Sequence, residues 1–521
     1  MFELPVVAPG VAIFDHLRQH ADEAGRTQDE LPLPDDDKDR QWHVWAPGAW
    51  DSSSRHRGQA SDTDRARQVA GLLQLACQHP SVTNLRALYA GVAGDSLIGC
   101  VDALTELLTR EQPDRRALHA IGHWLATTAP DREPVKLGVT LLGVTGSDAD
   151  LPVLRLLGAH SEFTLYCVTA MANILPDPEP ELWALARSLE GAGRVVCVEL
   201  LRDTEDPRIR EWILRGGFRN LNGSDQLALI AATTGDLLSA LRGDVDRELL
   251  TAAGEIIESL ISCDDIDDYE HGAHAVEAFL GHMRTRADTV QDVSTVAEIR
   301  SYLADNDDWD EWRWRHWTAT RRAAFADTCG WILSWDKWPE RITAGLAETD
   351  DGPAIWAARA LGIDIFDTLV EKIRANPYTS NWYDAWLQAD TERARQLVDM
   401  ARTLLPIDQI ATGPADEQGL GPAWQAHRTF GWTVQALRDH PGTGGDVLLA
   451  GLRSPLNLDR HMALQALWKW PGHTWPPGAA AAVEEAARAD PDKDVRQFAA
   501  RLADGPPASL STVGSLRGRH N

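Results

Sequence analysis

Three stretches of this chain repeat one another every 29 to 30 residues, a constraint that outranks every other feature of the sequence. Val139, Val168 and Val198 sit in the apolar runs Leu137–Leu142, Tyr166–Met171 and Val196–Leu201. An acidic residue follows each run, Asp148, Asp177 and Asp206, and then an apolar anchor, Leu154, Trp183 and Trp212. A period of this length marks a repeat architecture, because one helical hairpin cannot bury its own apolar face and must stack on the next.

Inside and beyond these repeats the chain reads as helix and turn. Good helix formers break at HPS, AGD, EQPD, TAPD, LPDPEP and TEDP, where Pro, Gly and Asp punctuate. Leu97, Val101, Leu104 and Leu108 keep to one helical stripe. Alternating Val/Ile runs joined by two-residue turns are missing, so the fold class is all-α. Asp148, Asp177 and Asp206 are expected to start helices, where a carboxylate accepts free N–H groups and meets the positive end of the dipole.

The C-terminal part carries the same grammar. DPDKDVRQFAARLA (Asp490–Ala503) follows the pattern D-x-D-V-R-x-x-A-A, SPLNLDRHMALQALW (Ser454–Trp468) echoes it with Arg460 and Ala463, and GPAIWAARALG (Gly352–Gly362) is a looser relative. These segments resemble HEAT-type repeats, including their shorter variety of about 30 residues. The resemblance covers 134–214 and 454–503, and residues 264–350 depart from it. It implies an α-solenoid of stacked antiparallel helical hairpins, irregular in the middle. It also implies a polar Asp–Arg ladder between hairpins, to which Asp492 or Asp494 with Arg496 would belong.

Four regions follow. Residues 1–62 form an N-terminal segment and an acidic arm carrying Trp42, Trp45 and Trp50, for which docking onto the chain's own domain is favoured over engagement of a partner. Residues 63–300 and 301–504 are two helical-repeat regions, the second rich in Trp, and 505–521 is expected to be a disordered tail.

At 521 residues the chain exceeds the size of one compact core. Its formal net charge of −28 repels phosphate backbones, which disfavours nucleic acid and favours a basic protein partner. The six cysteines form no C-x-x-C pair, which fits isolated thiols in a reducing compartment. With no signal-peptide pattern and no apolar run long enough to span a bilayer, the reading is cytoplasmic, away from membranes.

The candidate binding surface is the tryptophan cluster. Of 21 Trp, seven fall between Trp309 and Trp338. Trp309, Trp312, Trp314 and Trp317 interleave with Arg313, Arg315, Arg321 and Arg322, a mixture that can hold a planar or anionic ligand by stacking and ion pairing. Trp331, Trp335 and Trp338 are spaced to share one helix face. The competing reading makes these tryptophans core and the arginines a solvated face. Trp382, Trp386, Trp424, Trp432, Trp468, Trp470 and Trp475 would extend the surface if the second half curves into a concave face.

No metal or cofactor is expected. CDDIDDYEHGAH (Cys263–His274) meets no recognised ligand spacing, and His119 and His123 lack the intervening Glu of a metal hydrolase. Phosphate-binding and nucleophile-elbow motifs are absent. The expected role is a non-catalytic scaffold or adaptor for a protein partner. The rival is an enzyme or small-molecule binder using 309–341, and a third reading is a HEAT-like alkylated-base DNA glycosylase.

Overall fold

The computed structural model describes residues 8–22, 31–36, 45–56, 62–220, 225–304, 313, 316–348, 352–419 and 422–504. Among them the structure is all-helical, with a lone bridge between Glu417 and Leu456 and no strand. No helix among these residues is long and apolar enough to cross a membrane. The chain divides into two compact units, Met1–Arg341 and Ile342–Asn521.

In the first unit, the helices Arg132–Thr145, Ser161–Ile174, Ala192–Leu200, Asp225–Thr234, Arg247–Ser262, Val290–Ala304 and Ala319–Leu333 each pack on the next. Arg115–Thr128, Leu151–Gly158 and Glu179–Ser188 back the first three. The repeat valines Val139, Val168 and Val198 are fully buried in this row, as is Leu154. Close approach at the Arg115–Thr128 pair depends on glycine: a Cβ on Gly138 would stand 2.4 Å from the Ala126 nitrogen and 2.8 Å from the Gly122 oxygen.

Helix starts follow local chemistry. Asp62, Asp114, Asp206, Asp246, Asp390 and Asp492 each accept a backbone N–H from the first turn. Asp177 accepts the Glu179 N–H at 3.3 Å. At Asp148 the work passes to its neighbours, because Ser147 and Asp150 form a reciprocal capping box and leave Asp148 exposed. The later anchors are half-buried. Trp183 lies between the guanidinium groups of Arg187 and Arg208, 4.7 and 5.7 Å from its ring. Trp212 lies on Gly217, where a π-turn at Ile213–Gly217 ends the helix Pro207–Trp212.

In the second unit, Asn381–Leu387 packs on Gln425–Ala436, that helix on Asn457–Lys469, and that helix on Lys493–Ala503. Polar links about one repeat apart recur in both units: Arg65–Asp95 (2.8 Å), His119–Asp150 (3.0 Å) and Arg215–Asp246 (2.9 Å) in the first, Asp364–Arg393 (2.5 Å), Asp439–Lys469 and Arg460–Asp490 (2.7 Å) in the second. The Asp and Arg contacts of the last two helices differ from those the resemblance implies. Arg460 bonds Asp490, while Asp492 caps its own helix and accepts nothing from the Arg496 guanidinium, which donates to the carbonyls of Asp490 and Pro491. Asp494 stands exposed in the first turn of Lys493–Ala503.

Candidate functional site

The helix Arg132–Thr145 opens with three charged residues in its first five positions. Arg132, Glu133 and Lys136 are all buried. The three N–H donors of Lys136 meet Asp51 at 2.7 Å, Glu162 at 2.7 Å and Glu133 at 2.9 Å. Arg132 holds Asp35 at 3.1 Å, bonds Asp36, and lies 3.6 Å from Glu162. Two cations thus face five carboxylates, four of them buried and the fifth, Asp36, open to solvent.

Burial works against the Lys136 charge, but the three carboxylates outweigh it and hold the ammonium well above its ordinary value. Burial pushes the Asp51 and Glu133 carboxyls up despite Lys136. For Glu162 burial is overcome by Lys136 and Arg132 together, and its carboxyl falls below the ordinary range. Burial thus outweighs the Lys136 charge at Asp51 and Glu133, whereas at Glu162 the two cations together outweigh burial.

Asp35, Asp36 and Asp51 come from the N-terminal arm, so the cluster is also a clasp. The arm helix Ala49–His56 packs on Ser161–Ile174 and Ala192–Leu200, and Ile13–His20 packs on Arg115–Thr128 and Leu151–Gly158. His160 Nδ1 accepts the Glu162 N–H at 3.2 Å, which leaves Nε2 to donate to the Leu31 carbonyl at 2.9 Å. Gly48 turns the chain with φ +72° and donates to Glu162 at 3.1 Å; a Cβ there would fall 2.2 Å from the Ser161 carbonyl oxygen. Trp50 is half-buried and Trp45 exposed, while Trp42 lies outside the described residues.

A cleft of about 760 Å³ opens beside the clasp. Tyr166 and Ser54 lie in its floor, and the Tyr166 hydroxyl donates to Asp51 at 3.1 Å. Asp102, Glu106 and Arg110 stand on its exposed rim. The hydroxyls of Thr105, Thr109, Thr140 and Thr169 along the walls donate to carbonyls of their own helices at 2.7–2.9 Å.

The tryptophan cluster divides differently from expectation. Trp309, Trp312, Trp314 and Arg315 lie outside the described residues. Trp317 is 1 % exposed, donates to Asp267 at 3.1 Å, and meets the rings of Tyr302 and Phe325 edge-on. It belongs to the core rather than to a surface, because a large ring with a satisfied N–H gains most from burial. Arg313 bonds Asp267, Arg321 the His316 carbonyl at 3.0 Å, and Arg322 the Leu303 carbonyl at 2.8 Å. These three arginines tie elements of the fold together.

Trp331, Trp335 and Trp338 do not share a helix. Ala319–Leu333 ends with the Ser334 hydroxyl donating to the Trp331 carbonyl at 2.7 Å, and Trp338–Gly345 starts afresh with Pro339 in its first turn, where the missing N–H costs no intrahelical bond. Trp335 still stacks on the buried Trp338 at 5.7 Å, and Trp331 is exposed. In the second unit Trp382, Trp386 and Trp470 are buried.

Among the described residues no group of three His, Cys, Asp or Glu is arranged to hold a metal ion. Sequence reasoning missed the Lys136 cluster. Its local signal is the charged pair Glu133 and Lys136, three apart at the start of the otherwise apolar EPVKLGVTLLGV run. Comparisons of the chain with protein-family models, curated proteins and solved structures found no match.

Proposed function

We propose that the chain is a cytoplasmic, non-catalytic scaffold, an α-solenoid of HEAT type irregular in its middle, that binds a basic protein partner. The reading is supported first by the cleft beside the arm. Its wall hydroxyls are already bonded within their own helices, and the nearest ammonium, Lys136, has all its donors taken by carboxylates. Such a cleft offers shape and rim charge rather than a reacting group. Asp102 and Glu106 on the rim, with the net charge of −28, favour a basic partner.

The enzyme reading at 309–341 finds less support, since Trp317, Arg313, Arg321 and Arg322 are engaged in the fold. The test is capture of the intact chain from its native lysate at moderate salt. A stoichiometric basic protein, lost from Asp102→Lys/Glu106→Lys, is the expected result. A partner-free chain carrying a small molecule, metal or nucleic acid would overturn the reading.

A further inference from the structure

The arm helix Ala49–His56 divides what would otherwise be one groove. On one side of it lies the cleft of about 760 Å³, lined by Ser54; on the other lies a second of about 420 Å³, lined by Ser52. Leu165 lines both. The helix therefore lies across a groove in the helices that carry the repeat.

Its hold there is polar. Between Trp45 and Ser54 the fully buried residues are Asp51 and Ser54, and no apolar side chain of this stretch is fully buried. The anchors are Asp51 to Lys136, the Tyr166 hydroxyl to Asp51, and the Gly48 N–H to Glu162. Eight residues of sequence AWDSSSRH cannot sustain a helix in water, so its helicity depends on the seat. Its one large apolar contribution is the half-buried Trp50, so a competing segment that offers the same central ion pair can replace it.

We propose that this groove is the partner-docking site and that the arm helix is its resident occupant. The segment that takes its place is a short polar helix of a partner protein, with a carboxylate in its first turn for Lys136, where the arm presents Asp51. This rests on the scaffold reading and specifies how its partner is received. A partner basic overall satisfies both requirements, since the seat asks for a single carboxylate.

The test uses the full chain and a fluorescently labelled peptide of residues 45–56, WAPGAWDSSSRH, read by anisotropy. In the wild type the tethered arm competes at millimolar effective concentration. In Asp51→Ala the arm is loosened, and the peptide should bind at least about tenfold more tightly than to the wild type. A peptide with alanine in place of the Asp51 equivalent should lose that gain. Hydrogen exchange on the wild type gives a reading independent of any variant: amides of 49–56 should exchange at least about a hundredfold faster than those of 132–145 and 161–174. Exchange as slow as in the helices beneath, or a folded Asp51→Ala chain that does not take up the peptide, would overturn the proposal. Failure of the lysate capture with peptide binding intact would count against the scaffold reading alone.

Discussion

Arg460 grips Asp490 through two parallel hydrogen bonds, Nε to Oδ2 at 2.7 Å and Nη2 to Oδ1 at 2.8 Å, with both side chains buried. Its Nη1 donates to the carbonyls of Ser454 and Pro455, each at 2.9 Å. One guanidinium thus fastens the turn before Asn457–Lys469 to the turn before Lys493–Ala503. Arg460→Ala would leave a buried carboxylate without its cation, and we expect a loss of about 3–5 kcal/mol in chemical unfolding of the second unit. A loss below about 1 kcal/mol would mean that the pair contributes nothing beyond its own desolvation.

The neighbouring Asp459 gives a pH signature. It accepts the Ser454 hydroxyl at 2.7 Å, and burial lifts its carboxyl to about 6 against the opposing pull of Ser454 and Arg460. The folded chain then binds this proton more tightly than the unfolded chain, where the value stays near 3.8. The contribution is complete below that lower value and lost as pH rises through about 6, a change of about 3 kcal/mol. Asp459→Asn should match the wild type in acid and melt higher at neutral pH. Melting curves separated by a constant gap across both ranges would rule this titration out.

Two tryptophans of one cluster should behave oppositely. Trp317→Ala removes a buried ring and one of the hydrogen bonds that Asp267 accepts, for an expected loss of about 3–5 kcal/mol. Trp331 is 51 % exposed, and its truncation should cost less than about 1 kcal/mol. Thermal unfolding of the two variants side by side checks the contrast.

Gly138→Ala tests the closest helix approach in the first unit. Alanine favours helix by about 1 kcal/mol over glycine. The new methyl would nevertheless meet backbone at Ala126 and Gly122, which cannot swing aside. We expect a net destabilisation of about 1–3 kcal/mol; a variant more stable than the wild type would show that the two helices can separate without cost.

The all-helical fold was legible because its signals are local. Val139, Val168 and Val198 mark buried positions, and Asp206 and Asp492 cap helices within three residues of themselves. The Arg460–Asp490 pair was not legible: nothing in the D-x-D-V-R pattern says which aspartate faces the preceding helix. The Lys136 cluster was hidden more deeply. Asp35, Asp51, Glu133 and Glu162 meet only once the arm is laid over two helices, and no spacing rule joins residues so far apart. The regular spacing of Trp331, Trp335 and Trp338 suggests one helix face, and it carries no sign of the break between Leu333 and Trp338.

The arm clasp carries a consequence for synthesis on the ribosome. Asp51 leaves the exit tunnel 111 residues ahead of Glu162, and Asp35 leaves 97 ahead of Arg132. At roughly 5–20 residues per second, the arm waits on the order of ten seconds for the groove that will receive it. During that interval the arm's carboxylates face solvent, and the cations that will hold them, Arg132 and Lys136, have yet to be made.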